Sequence, residues 1–171
     1  AMLNVTLEDA ADNVEVIFKS SPFGTQSHGY ESNNSFLLYA YGERLLIRTG
    51  RRDSYGSAHH RKWMWTTRST NCITVDGQGQ PGHSQEARGR IVAFHASPEV
   101  DYVAGEAGGA YGKTLDRFTR HIVFLKPYAI VVYDQLEAPN ASTFAWWLHS
   151  PTKMDVQGQD DIRVKSGKAA C

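Results

Sequence analysis

The sequence has little of what marks several common classes of protein. It contains two cysteines in 171 residues, Cys72 and Cys171, so neither a disulfide framework nor a cysteine metal site is expected. Lysine and arginine number 18, as do aspartate and glutamate, and the formal net charge is zero. This balance removes the simplest argument for nucleic acid, because phosphate-binding domains usually carry a basic excess. No apolar run approaches the roughly 18 residues of a membrane span. We therefore predict neither nucleic acid nor a membrane as a partner.

The length suits one domain with a substantial core. Residues 3–14 are polar and acidic, so they do not form a signal peptide. The opening Ala1-Met2 and the abrupt end at Cys171 are typical of a piece of a longer chain. The residues themselves therefore leave the localisation unknown.

Short apolar or alternating runs recur between Gly, Pro, Asn and Asp, which is typical of a sheet protein. One hairpin is predicted from residues 35–41 and 44–47, and another over 118–133. Further strands are predicted over residues 14–18, 71–75, 89–96, 100–104, 142–148 and 162–164. Helix is expected only as one turn within 7–13, and Asp134 is interpreted as a turn cap. We predict an all-β, antiparallel, supersandwich-like β-sandwich of about ten or more strands. Its long polar loops cover residues 50–70 and 77–88.

Two polar segments, 26–34 and 53–63, concentrate side chains that exchange protons or contact sugars. Aromatic rings stack on sugar faces, arginine pairs with carboxylates, and histidine or tyrosine exchanges protons. A local basic cluster fits either an anionic ligand or a solvated loop: Arg48, Arg51, Arg52, Arg61, Lys62 and Arg68. The pattern indicates a polar, carbohydrate-binding loop surface on a sandwich.

Several residues in these segments have a purely structural interpretation as well. His59 and His60 are adjacent, and adjacent side chains point apart in a strand, which disfavours a shared metal ion. The Trp63-Met64-Trp65 run is equally compatible with packing and with a sugar platform. His121 and His149 lie in or beside predicted strands, where core or rim positions are expected.

Residues 27–36, beginning Ser27-His28-Gly29-Tyr30, and the following hairpin resemble the heparinase II/III-like domain. The resemblance continues at residues 55–63 and 70–80, with shorter matches at 110–111, 120–125, 132–134 and 147–150. It implies the β-sandwich part of a polysaccharide lyase of the heparinase or oligoalginate lyase type. Such an enzyme has an amino-terminal α/α-toroid domain, which this chain lacks. Its substrate is an anionic, uronic-acid-containing polysaccharide cleaved by β-elimination, no cofactor is required, and a periplasmic or secreted location is expected.

The same resemblance implies roles for individual residues. His28 corresponds to the substrate-facing catalytic histidine, and Tyr55 lies where some members place a tyrosine near the cleavage site. The residues expected to contact substrate are Asn34, His59, His60, Arg61 and Trp63.

Many members of the family also hold a structural zinc through two histidines and an aspartate. This sequence has Tyr30, Arg48 and Thr70 at those positions. Tyrosine and arginine are implausible ligands there, and a threonine hydroxyl is a poor one. We predict that the three positions are neighbours and that no metal binds them. We also predict that Arg48 and Tyr30 replace the zinc ion with a cation and a hydrogen bond.

Three hypotheses follow. The first is a domain of a uronic-acid-specific polysaccharide lyase that is inactive or nearly so alone. The second is a non-catalytic carbohydrate-binding or scaffolding sandwich. The third is a lyase relative whose site has drifted, as the altered zinc positions suggest.

Overall fold

The computed structural model describes residues 1–24, 29–49 and 53–171. Within these ranges the chain is built from short and medium strands that pair antiparallel. The strands are β1 Met2–Asn4, β2 Val14–Lys19, β3 Ser35–Ala40, β4 Glu43–Leu46, β5 Ile73–Val75, β6 Arg90–Ala96, β7 Val100–Glu106, β8 Arg117–Leu125, β9 Ala129–Glu137, β10 Phe144–Trp146, β11 Asp155–Gln157, β12 Asp161–Arg163, β13 Lys165–Ser166 and β14 Ala169–Ala170. Helix is limited to 3-10 turns at Ala10–Asp12, Thr67–Ser69 and Gly108–Tyr111 and a π-helical turn at His60–Met64, so no helix of the described chain is long and apolar enough to cross a bilayer.

Two four-stranded sheets form the framework. One has the order β1-β2-β3-β4 and the other β6-β7-β8-β9, and two-stranded ribbons join β5 to β10, β11 to β12 and β13 to β14. Alternation places one face of β2 inside: Val14, Val16 and Phe18 are buried, while the residues between them are partly exposed. These side chains pack with others from β3, β7 and β8, such as Phe36 and Phe124, in one core cluster.

Most strands of this framework were predicted correctly from the sequence. The predicted hairpins are β3–β4 and β8–β9, and the helical turn within 7–13 forms at Ala10–Asp12, where Asp9 accepts a hydrogen bond from the Ala11 amide. Four strands were not predicted, namely β1, β11, β13 and β14. Each has only two or three residues, too few to show a period of two. The stretch 53–70, predicted as loop, contains two short helical turns.

The interpretation of Asp134 as a turn cap is wrong. Asp134 lies within β9, directly opposite Arg120 of β8. The Arg120 side chain is fully buried and donates through Nε and Nη2 to the two Asp134 carboxylate oxygens, both at 2.7 Å. Its Nη1 donates to the carbonyls of Asn34 at 2.7 Å and Asn71 at 2.9 Å. One guanidinium therefore links both sheets and the segment that leads into β5.

Removing this guanidinium should be far more damaging than removing an exposed one on the same strand. Arg120→Met leaves the largely buried Asp134 carboxylate and two carbonyls without their donors, and we expect a loss of about 3–5 kcal/mol in the free energy of unfolding. Arg117 is the matched control because it also pairs across to β9, with Glu137 at 3.1 Å, but both side chains are substantially exposed. Arg117→Met should cost below about 1 kcal/mol. Urea denaturation measures both losses, and similar values for the two variants would contradict the assignment.

Candidate functional site

Three residues of the predicted site lie outside the described residues. They are His28, which was predicted to face substrate, and Arg51 and Arg52 of the basic cluster. The remaining predicted residues, together with their neighbours from 29–36 and 65–82, can be placed.

A continuous row of aromatic rings in contact, ending at a guanidinium, runs through the predicted site, and we call it the ring row. Tyr55 is 87% exposed, and its ring lies 4.7 Å from that of His60. His60 meets Trp65 edge to face at 5.5 Å, and Trp65 stacks on Tyr30 at 4.8 Å. The guanidinium carbon of Arg48 lies 3.8 Å from the centre of the Tyr30 ring, well within cation–π distance. The ring row thus begins at the exposed Tyr55 and ends at a partly buried cation.

His60 is a buried member of this row rather than an exposed ligand. The Gly56 amide and the indole N–H of Trp65 approach its two ring nitrogens, each at 3.3 Å. A singly protonated imidazole has one acceptor nitrogen, so one of the two contacts is a full hydrogen bond. The segment is helical rather than extended, and His59 is partly buried with its Nε2 lacking a partner among the described residues. Arg61 is exposed and free to meet a ligand from solvent.

Trp63 belongs to a second aromatic group beside the ring row. Its indole N–H donates to the Thr49 hydroxyl at 3.0 Å, and its ring meets His149 edge to face at 6.3 Å. His149 in turn stacks against Trp147 at 6.5 Å. Burial lowers the pKa of His149, although its contact with the Arg68 carbonyl acts in the opposite direction. The Trp63 ring is therefore partly engaged in packing.

The predicted substrate contact at Asn34 needs correction. The residue is fully buried, and its side-chain amide donates to the carbonyls of Gly105 at 2.9 Å and Phe118 at 3.1 Å. Its backbone has φ of 60°, in the left-handed region that asparagine tolerates better than most residues. Asn34 thus joins the start of β3 to β7 and β8, and a ligand in solvent cannot reach it.

The three altered zinc positions lie together, as predicted. Tyr30, Arg48 and Thr70 line one cavity of about 210 Å³. Arg48 and Tyr30 are in contact, with the guanidinium carbon 3.8 Å from the centre of the tyrosine ring. These residues do not fit a metal cation, because a guanidinium occupies one ligand position and the described lining contains no histidine, cysteine or carboxylate. No cluster of three such side chains suited to a metal occurs elsewhere in the described ranges.

Glu31 is a titratable residue that sequence reasoning missed. It lies beside Tyr30 and lines a separate cavity of about 430 Å³ with Thr67 and Tyr111. Burial raises its pKa to about 7, against the smaller opposing effect of a hydrogen bond from the Thr67 backbone. Its position directly after the Ser-His-Gly-Tyr run was visible, but nothing in the sequence indicated burial.

A network of buried amides and hydroxyls fixes this part of the molecule. The Gln80 side chain accepts from the Asn33 amide at 2.9 Å and donates to the Asn33 carbonyl at 2.8 Å. The Tyr111 hydroxyl donates to the Ile73 carbonyl at 2.8 Å and lies 3.3 Å from the Gln80 amide nitrogen. Burial raises the pKa of Tyr111 well above its ordinary value. The segment 30–34 is therefore held against the turn that follows β5.

Comparisons with known proteins place this geometry in a family. The family model described as "Heparinase II/III-like, C-terminal" matches residues 5–170. Among curated proteins, none matches the chain significantly.

Solved structures show the same fold at low sequence identity. A heparinase III gene product with methylated lysines has a TM-score of 0.78 at 14% identity, covering 96% of this chain and 25% of that one. A heparan sulfate lyase HepC mutant from Pedobacter heparinus has a TM-score of 0.74 at 17% identity, with 96% and 27% covered. HepC itself has a TM-score of 0.73 at 16% identity, with 95% and 27% covered. The chain thus spans about a quarter of the length of these structures. The family match over residues 5–170 shows that the chain belongs to the heparinase II/III-like C-terminal family.

Proposed function

We propose that this chain is the β-sandwich domain of a polysaccharide lyase that cleaves uronic-acid-containing polysaccharide by β-elimination. In this proposal it acts with an amino-terminal toroid domain in the same polypeptide, and it has little or no activity alone. The observation that carries the proposal is the ring row, which joins an exposed tyrosine to a cation beside residues 29–36 in a chain of this family. Two of the similar structures are of a heparan sulfate lyase, which favours an acidic polysaccharide as the substrate here.

The chemistry assigns a limited task to this domain. In β-elimination a base removes the C5 proton, the electron pair forms the C4–C5 double bond, the C4–O4 bond breaks, and an acid protonates O4. The C5 proton is only weakly acidic, so stabilising the negative charge that develops on the C6 carboxylate is the hard part. We assign that stabilisation to His28 and proton exchange to Tyr55, whose exposed hydroxyl can meet a sugar.

The other predicted residues take supporting roles in this proposal. His60 packs beneath the Tyr55 ring and limits the positions that ring can adopt. Arg61 is exposed and can pair with a carboxylate or sulfate of the polysaccharide. Trp63 offers part of its ring for stacking, while its indole nitrogen stays bonded to Thr49.

The role of His28 can be tested in the longer polypeptide that includes the toroid. The absorbance of the new C4–C5 double bond is followed with heparin, heparan sulfate, hyaluronan and alginate as separate substrates. His28→Ala should lower kcat by about 10²–10⁴-fold if the residue stabilises the transition state. His95, on an exposed part of β6, is the matched control, and His95→Ala should leave turnover unchanged. Unchanged turnover in His28→Ala would show that the site is misassigned.

Tyr55→Phe separates proton exchange from stacking, because it removes the hydroxyl and keeps the ring. If Tyr55 exchanges the proton, kcat should fall by about 10²-fold or more while KM changes little. Tyr128 is 89% exposed in the turn between β8 and β9, and Tyr128→Phe is the matched control. A Tyr55→Phe enzyme with wild-type kcat would restrict this residue to packing or substrate stacking.

The non-catalytic alternative predicts a different result in the same assay. A carbohydrate-binding sandwich would retain polysaccharide on an affinity column, yet the longer polypeptide would produce no double bond with any of the substrates. Activity in the wild-type polypeptide excludes this alternative directly.

Glu31 gives the domain a pH-dependent stability that Glu31→Gln should remove. Its pKa is raised from the ordinary 4.5 to about 7, so the folded chain holds this proton more tightly than the unfolded chain. Its contribution to stability is therefore full below pH 4.5 and is lost as the pH rises through 7. We expect the free energy of unfolding of Glu31→Gln, compared with that of the wild type, to be about 1–2 kcal/mol more favourable at pH 8 than at pH 4. This value is already reduced for the partial exposure of Glu31.

Urea denaturation at pH 4, 6 and 8 measures this difference between the two proteins. Glu8→Gln, on an exposed part of the first loop, is the control for removing one glutamate charge. A Glu31→Gln difference that is constant from pH 4 to pH 8 would refute the buried, proton-binding assignment.

A further inference from the structure

The cavity lined by the altered zinc positions contains two cationic side chains, Lys19 and Arg48. Lys19 is the last residue of β2 and pairs with Ser35, the first residue of β3. The hydroxyl-bearing residues Ser32, Ser35 and Thr70 line the same cavity of about 210 Å³. The described lining has no carboxylate. The cavity therefore combines positive charge and hydroxyl groups without a negative charge to match.

Lys19 is bonded only to neutral acceptors in the described part of the chain. Its ammonium donates to the Ser32 hydroxyl at 2.9 Å and to the Tyr30 carbonyl at 3.3 Å. An ammonium has three N–H groups, so these two bonds leave one for another acceptor. Burial lowers the pKa of Lys19, as expected for a cation removed from water without a nearby anion.

Arg48 also has unused hydrogen-bonding capacity. Its guanidinium carbon lies 3.8 Å from the centre of the Tyr30 ring, a cation–π contact that supplies no oxygen or nitrogen acceptor. The Nη1 atom is buried and has no hydrogen-bond partner among residues 1–24, 29–49 and 53–171. A buried donor without a partner is costly, because it has lost its bonds to water and gained none in return.

Glu31, the acidic residue next to Tyr30, does not neutralise these cations. The Glu31 carboxylate lies against Gly82, where an added Cβ would stand 2.7 Å from its Oε1, and it lines the other cavity. The ion pairs formed by described residues involve neither Lys19 nor Arg48. The positive charge in the cavity is therefore open to an external anion.

We propose that this cavity is a binding site for a single oxyanion, a carboxylate or sulfate group, held between Lys19 and Arg48. Such a group supplies acceptors for the free N–H of Lys19 and for Nη1 of Arg48. The cavity is smaller than the roughly 300–1,000 Å³ typical of pockets for whole organic ligands, so it suits one acidic group rather than an oligosaccharide. This binding requires no catalysis and is independent of the proposed lyase activity.

The oxyanion has two possible sources, a free inorganic ion and the acidic group of a saccharide. The ¹⁵N-labelled 171-residue chain is titrated with sodium sulfate, with glucuronate and with glucosamine 6-sulfate, while sodium chloride keeps the ionic strength constant. Saturable shifts of the Tyr30, Ser32, Ser35 and Thr70 amide signals are expected. Saturation by sulfate assigns a free ion, and saturation by the saccharides alone assigns an acidic sugar group; either result supports the site. The absence of saturable shifts with all three probes overturns it.

Two variants and one control locate the binding. Arg48→Gln and Lys19→Gln should each weaken the affinity about tenfold or more, because each removes one charge-assisted contact. Arg44 is the matched control: it lines the neighbouring cavity of about 540 Å³ with Arg48 but not this one, and Arg44→Gln removes the same charge. Equal affinity in the wild type and both site variants, or an equal loss in Arg44→Gln, would show that the anion binds through general charge and not in this cavity. Because Lys19→Gln tests the site separately, poor folding of Arg48→Gln leaves the test intact.

Discussion

The guanidinium of Arg120 is fully buried, and its contacts set the relative positions of strands from both sheets. Burial alone lowers the pKa of Arg120, but its hydrogen bonds to Asp134 and the neighbouring charges outweigh this effect and raise it. Phe36, Phe118 and Trp146 surround the charge at 5.3–5.6 Å and exclude water from it. A buried ion pair contributes little net stability compared with a well-packed apolar core, but it tolerates few alternative arrangements because each donor needs its acceptor. The sandwich therefore obtains a defined register at its centre.

This buried charge also determines where the candidate site lies. Arg120 binds the carbonyl of Asn34, four residues after Tyr30, and the carbonyl of Asn71, directly after Thr70. The Asn71 side chain extends the connection by donating to the Phe36 carbonyl and accepting from the His149 amide. Two walls of the cationic cavity are thus anchored through the same guanidinium. The positions of Tyr30 and Thr70 follow from backbone bonds in the core rather than from contacts within the cavity.

The sequence predicted the elements that depend on local pattern and missed those that depend on pairing between strands. Alternation and the Gly42 turn were enough to predict β3 and β4. Asp134 was predicted to cap a turn and Arg120 was given no role of its own, and their pairing follows from the β8–β9 register. The predicted hairpin ended at residue 133, so it did not include Asp134 or place these opposite charges across from each other. No local pattern indicated that Glu31 or Lys19 is buried, because their burial depends on segments distant in sequence.

The family resemblance correctly predicted that Tyr30, Arg48 and Thr70 are neighbours. It predicted that no zinc binds there, but it did not indicate what else the cavity could bind. A zinc site holds its surroundings through the ion, so loss of its ligands would be expected to loosen the fold. Here the polar network around Asn33 and Gln80, together with Arg120, supplies that connection without using Tyr30 or Arg48 side chains. The framework does not depend on what the cavity contains. The charged side chains that line the cavity can therefore change, so that a cavity suited to a cation becomes one suited to an anion. The geometry of the cavity is a property of the sandwich, and its chemistry is set by the few side chains that line it.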